Sequence, residues 1–159
     1  MAKIKIDTFI NQKPAIVFDL SRSIDLHKIS TQKTKEEAVA GVTSGLIGLN
    51  EMVTWKAYHL FKKRRFTSTI TQYRFPFSFT DEMEEGDLAY FIHIHKFVEK
   101  NNGTLMQDII FLKAPFGFLG EFIMCLFLKQ YFEKFLKERN KAIKTFAESE
   151  KWKLLLKRN

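Results

Sequence analysis

The sequence predicts an α+β domain in which one antiparallel sheet curls around a long C-terminal helix. Two observations lead there. From Met52 to Ala114 apolar and polar residues alternate in one segment after another, with turn residues between them and no helical pattern among them. Consecutive strands at short spacing imply an antiparallel meander. From about Leu119 to Phe146, in contrast, apolar residues recur at helical spacing.

The first segment places Ile4, Ile6, Thr8 and Ile10 on one side and Lys3, Lys5 and Asp7 on the other. That is the period of a strand with one wet face. Pro14 suits the first turn of a short helix, where its missing N–H costs nothing. A second short helix is expected between Ser23 and Thr31, capped by Ser23 or Asp25. Residues 33–51 hold Gly41, Gly45 and Gly48 and read as a strand interrupted by turns at the domain rim.

In the meander, Val53, Trp55, Ala57, His59 and Phe61 share one side. Lys62-Lys63-Arg64-Arg65 reads as a charged turn, and Phe66, Ser68 and Ile70 continue beyond it. Pro76 breaks that strand; Phe77, Phe79, Asp81 and Met83 open the next, and Glu85-Gly86-Asp87 turns into Phe91, His93, His95 and Phe97. Asn102-Gly103 is a strong hairpin signal, followed by a strand from Thr104 to Ala114. In the last helix Cys125, Leu128, Tyr131, Phe132, Phe135, Leu136, Ile143 and Phe146 form one stripe. Its first turns, with Leu119, Phe122, Ile123, Leu126 and Phe127, are apolar on nearly every side, as expected beside a cavity or a partner. One domain is expected over 1–148, with a basic tail over 149–159 that frays or docks through Trp152, Leu154, Leu155 and Leu156.

Composition narrows the class. The 159 residues suit a single core, and 17 Phe against 7 Gly imply a wide core or an aromatic-lined pocket. A net charge of +8 favours anionic surfaces. Nucleic acid is not expected, because the aromatics point inward and no recognised motif appears. One cysteine, Cys125, excludes an internal disulfide. The alternating start does not look like a signal peptide, and the run Phe116–Leu128 contains Glu121 and is too short to span a bilayer. A cytoplasmic protein is the expectation.

Several stretches resemble a known superfamily: Arg22-Ser23-Ile24-Asp25-Leu26-His27, Gly45-Leu46-Ile47-Gly48, Val53-Thr54-Trp55, Phe79-Thr80-Asp81-Glu82-Met83, His93-Ile94-His95-Lys96-Phe97, Gly103-Thr104-Leu105-Met106-Gln107-Asp108 and Glu138-Arg139-Asn140. They look like the START and pollen-allergen superfamily, also called SRPBCC, with its polyketide cyclase/dehydrase and lipid-transport group, and specifically a bacterial ligand-binding subgroup. The likeness runs from about Ile4 to Phe146. It implies a helix-grip fold: a seven-stranded curved sheet wrapped around the last helix, with a hydrophobic ligand cavity between them. Members bind lipids, hormones, polyketides or quinones, and some are enzymes.

His93 and His95 lie two apart on one strand and share a face with Phe91 and Phe97. Pairing through the hairpin brings Asp108 to that face, opposite His95 or one diagonal step away. A carboxylate holding an imidazole fixes its tautomer and raises its basicity. Three readings stay open for this group: acid–base catalysis on a carbonyl-containing ligand, a metal site, or a polar network that serves the fold. Tyr58, His59, Asp81 and Tyr131 are candidates to lie nearby. No metal and no cofactor are expected, since the sequence assures no third ligand and has no Cys-X-X-Cys. The expected cavity residues are Trp55, His59, Phe79, Phe91, Met106, Phe122, Leu126, Phe127 and Tyr131. Arg139 falls within the apolar stripe and calls for a partner, either an acid near the first helices or an anionic ligand head. The expected partners are a small hydrophobic molecule, an anionic membrane surface touched transiently through Lys62–Arg65, and a second copy of the chain through Phe116–Phe127.

Overall fold

In the computed structural model the described residues are 1–58, 62–115, 117–118, 122 and 127–156, together with the backbone of His59. Strand β1 (Ala2–Ile10) leads to helices α1 (Pro14–Ser21) and α2 (Ile24–Ser30), then a single 3-10 turn at Gln32–Thr34. Six more strands follow: β2 (Glu37–Gly41), β3 (Met52–His59), β4 (Lys62–Arg74), β5 (Ser78–Glu85), β6 (Tyr90–Lys100) and β7 (Gly103–Lys113). Helix α3 (Lys129–Ala147) and a short α4 (Trp152–Leu155) close the chain.

All seven strands form one antiparallel sheet in the order β1-β7-β6-β5-β4-β3-β2. β1 therefore returns beside β7, and the two short helices bridge the gap to β2 at the far edge. Alternation decides which face is wet. On β7, Thr104, Met106, Asp108, Ile110 and Leu112 are all buried on the inner face, and α3 lies against that side of the sheet.

Local chemistry explains the boundaries. Pro14 occupies the first helical position of α1. The Ser23 hydroxyl accepts a hydrogen bond from the Leu26 N–H at 3.2 Å and caps α2. The β6–β7 hairpin turns one residue earlier than the sequence suggests. Asn101 and Asn102 carry positive φ (50° and 60°) and Gly103 already pairs with Lys100. A two-residue turn needs left-handed backbone at both central positions, which Asn tolerates. Gly103 is required for another reason: a Cβ there would lie 2.6 Å from the Ile10 carbonyl oxygen. Moving the turn by one residue slides the partners by two and leaves the facing of every side chain unchanged.

One further expectation is corrected, and one left as two alternatives is resolved. Lys62–Arg65 is not a turn but the start of β4, paired with β3 from His59↔Lys62 to Lys56↔Arg65. Alternation simply continues through these charges, because long basic side chains can keep their heads in water at a strand end. The C-terminal segment does not fray throughout, since Trp152, Leu155 and Leu156 pack against the main core cluster while Leu154 stays exposed. The expected helix start at Leu119, with Ile123, Cys125 and Leu126, lies outside the described residues.

The core divides in two. Phe18 on α1 meets Phe79 and Phe97 of the sheet with ring centroids 5.3 and 5.2 Å apart, and Ile10, Met106 and Ile143 belong to the same cluster. A second cluster gathers Ile4, Ile110, Leu112 and Leu136. Between sheet and helix, beside these clusters, space is left open.

Candidate functional site: a cavity with a buried histidine–aspartate floor

The open space is a cavity of about 670 Å³ between the inner face of the sheet and α3. Pockets that hold small molecules run from about 300 to 1,000 Å³. Trp55, Phe66, Ile70, Phe79 and Phe91 line it from the sheet, and Leu128, just before α3, with Tyr131, Phe132, Phe135, Leu136 and Arg139 from the helix. The helical contributors follow i, i+3, i+4, i+7, i+8, i+11, the stripe a helix presents to one neighbour. His27, stacked on Trp55 with ring centroids 4.2 Å apart and 2.5 Å from Glu36, lines another part of the wall.

The expected cavity residues divide. Trp55, Phe79, Phe91 and Tyr131 line the space. Met106 is fully buried but belongs to the packed cluster around Phe18, with the Ser21 hydroxyl 3.4 Å from its sulfur. It is on the inner face, yet α1 fills the space above that part of β7. Phe122 and Phe127 are 58% and 65% exposed and do not line the cavity. For Phe127 the reason is geometric: its neighbour Leu128 takes the sheet-facing stripe, and adjacent helical positions point about 100° apart. The side chain of His59 and all of Leu126 lie outside the described residues.

The polar floor is built from adjacent strands. His93 and His95 share the inner face of β6; Asp81 on β5 stands opposite His93, and Asp108 on β7 stands opposite His95. His93 Nε2 lies 2.8 Å from Asp108 Oδ1, and His95 Nε2 lies 3.1 Å from Asp81 Oδ2. The two rings are 3.7 Å apart, and Phe79 stacks on His95 at 4.1 Å. His95 Nδ1 is 3.0 Å from Asp108 Oδ1 but too far out of line for a hydrogen bond.

Helix α3 supplies the lid of this network. Asn140 Nδ2 donates to Asp108 Oδ2 at 2.6 Å and to Thr8 Oγ1 at 3.2 Å. Arg139 Nη2 donates to the Ser21 carbonyl at 2.7 Å, the end of α1, where helix carbonyls lack internal partners and a cation is favoured. Its Nη1 is 3.8 Å from Asp108 Oδ1, and among the described residues has no hydrogen-bond partner. The partner of Arg139 at the first helices is thus a carbonyl, and the nearby acid is on the sheet.

Burial and charge pull the titrations apart. Burial would raise the Asp108 pKa, yet the hydrogen bond from His93, the close approach of His95 and the charges of both rings hold it well below the usual carboxylate value. Asp81 is likewise lowered: burial opposes this, but the His95 hydrogen bond and the charges of His93, His95 and Arg139 outweigh it. Burial and the neighbouring His95 charge lower His93 despite Asp108. Burial also acts to lower His95, but the close Asp108 carboxylate and the hydrogen bond to Asp81 prevail and its pKa is raised. The two imidazoles are thus pushed in opposite directions, His93 down and His95 up.

Sequence reasoning reached His93, His95 and Asp108 through the hairpin, and named Asp81 as a neighbour. Asn140 and Thr8 were not legible as site residues, because their contact joins positions 132 apart in the chain. The Glu138-Arg139-Asn140 stretch was the only available signal.

No protein-family model matches the chain, and no curated protein matches it. Solved structures do. The chain is similar to TTHA0849 from Thermus thermophilus, with a TM-score of 0.70 and 16% identity over 89% of this chain and 97% of that one. Similar too is the ginseng major latex-like protein 151 from Panax ginseng, with a TM-score of 0.69, 13% identity and coverage of 93% and 98%. A START superfamily protein from Mycobacterium smegmatis aligns with a TM-score of 0.68 and 10% identity over 92% of this chain and 97% of that one. The chain therefore has the helix-grip fold that these START and latex-type structures share.

Proposed function

We propose that this protein binds or carries a small hydrophobic ligand, of lipid, polyketide or quinone-like character, in the cavity between the sheet and α3. The observation that carries this reading is the cavity itself: about 670 Å³, walled mainly by aromatic and aliphatic side chains, with one polar cluster at His93, His95, Asp81 and Arg139 and further polar side chains, His27, Glu36, Arg64 and Asp87 among them, elsewhere on the lining. Apolar walls supply affinity, and a few placed polar groups fix orientation. The fit is to a ligand with an apolar body and one polar end. Native mass spectrometry after gentle extraction tests it, with a one-to-one adduct of a few hundred daltons as the expected result. A chain that emerges bare and takes up none of a panel of fatty acids, polyketides and quinones contradicts it.

A second reading has its own support. Two imidazoles 3.7 Å apart have pKa values moved in opposite directions, and such divergence is how one site provides both an acid and a base. His93, His95 and Asp108 would then serve a cyclase- or dehydratase-like reaction on a carbonyl-containing ligand. His95→Gln should bind such a ligand and leave it unchanged while the wild type converts it; equal conversion by both counts against this reading.

Phe118, Phe122 and Phe127 are exposed, and the chain carries a net charge of +8. Together they support brief contact with an anionic membrane during ligand exchange. A second copy of the chain is the competing occupant of these phenylalanines, and light scattering at high concentration separates the two.

A further inference from the structure

We propose that Asp81, His93 and His95 form a binding site for one divalent first-row transition ion, with a coordination position open to the cavity. The three side chains come from two adjacent strands and face the same side. His93 Nδ1 lies 3.8 Å and His95 Nε2 3.1 Å from the same oxygen, Asp81 Oδ2. All three ligand atoms fall within 4.8 Å of one another. Ligand bonds of about 2.0–2.2 Å to zinc place neighbouring donor atoms roughly 3–3.5 Å apart, so small side-chain rotations complete the set.

The hydrogen bonding around the triad points the same way. Asp108 only accepts, so the Nε2 of His93 carries the hydrogen in the 2.8 Å contact. In the neutral ring this leaves the Nδ1 lone pair facing an Asp81 oxygen at a distance too long for a hydrogen bond. Two acceptors facing one another call for a cation between them. His95 differs in its present tautomer: Nε2 hydrogen-bonds Asp81 Oδ2 at 3.1 Å, so a metal would take the place of that hydrogen, with Nδ1, 3.0 Å from Asp108 Oδ1, left to carry the remaining one. Asp108 is thereby the outer carboxylate for both rings and is itself oriented by Asn140 at 2.6 Å. Metal-binding histidines commonly have such a partner on the far nitrogen.

Charge agrees with this. With neutral imidazoles, Asp81 and Asp108 against Arg139 leave one net negative charge in a buried site, which favours uptake of a cation. Two imidazoles and one carboxylate select zinc, iron or cobalt over magnesium or calcium. The remaining positions face the cavity, where a polar ligand end or water would complete the shell.

Cobalt(II) titration of metal-free, full-length protein tests this. The expected result is a saturable visible absorption band at one ion per chain. Asp81→Asn and His95→Gln should each weaken binding at least tenfold, and Glu138→Gln, on the surface, should leave it unchanged. Circular dichroism checks that each variant is folded. Should a variant unfold, zinc(II)-induced shifts of the His93 and His95 ring resonances in the wild type give the answer instead. No saturable band, a band that survives in both folded variants, or ring resonances unmoved by zinc would overturn the proposal. Uptake of apolar probes by the metal-free protein tests the carrier reading separately, so each idea can fail alone.

Discussion

Asn140 on α3 donates to the carboxylate of Asp108 on β7 at 2.6 Å, so the gripping helix is bonded directly to the polar floor of the sheet. Neither residue exposes its side chain to bulk water. With the packing of α3 on the sheet, the bond holds the helix in the rotation that presents its stripe to the cavity.

Loss of Asp108 should therefore be costly. Asp108→Asn removes the charge that both histidines and Arg139 surround, and breaking a buried charge cluster by removing one member costs about 3–5 kcal/mol. Urea unfolding at neutral pH measures this. A change below about 1 kcal/mol would mean that the network contributes little to the fold.

The same carboxylate predicts an acid dependence. Its folded pKa is lowered, so the stability it contributes is present above the unfolded carboxylate pKa, about 3.9. That stability is lost as pH falls through the lower folded value. The stability difference between wild type and Asp108→Asn should narrow as pH drops below about 4 and, because Asp108 also holds the His95 pKa up, should shrink again as pH rises through the folded His95 titration. Thermal melts across that range check it, and a difference independent of pH would contradict the assignment.

Helix packing gives a plainer expectation. Ile143 is buried in the main core cluster beneath α1, and truncation to Ala leaves a void the surrounding rings cannot close. Ile143→Ala should lower stability by about 2–5 kcal/mol, measured by denaturant unfolding, with probe binding in the cavity retained at temperatures where the variant is folded.

The exposed phenylalanines make a separate prediction. Substitution of Phe118, Phe122 and Phe127 by Ser should leave stability within about 0.5 kcal/mol, as expected for exposed positions. It should slow ligand transfer to vesicles containing phosphatidylserine. Unchanged transfer would assign these residues another role, and loss of a dimer by light scattering would identify it.

Much of the fold was legible because alternation reports facing directly. Phe91, His93, His95 and Phe97 read as one face from spacing alone, and a shift of the hairpin by one residue could not change that. What alternation does not report is how the space above a face is filled. Met106 and Phe79 both lie on the inner face, but α1 covers the first and open cavity borders part of the second. Periodicity also overextended the apolar wall. Phe127 belongs to a run that is apolar in sequence, yet only one stripe of a helix can face a sheet. The contacts of Arg139 and Asn140 depend on the rotation and depth of α3, which arise from packing between distant segments.

The cavity is the centre of this account, and titration with a neutral apolar fluorophore such as 1-aminoanthracene tests it most directly. Ser68 lines the cavity as a small buried residue, so Ser68→Phe should fill part of the volume. The account predicts saturable one-to-one binding to the wild type and at least about tenfold weaker binding, or 1.4 kcal/mol, to a folded Ser68→Phe variant. No saturable binding to the wild type, or equal binding to both, would contradict it.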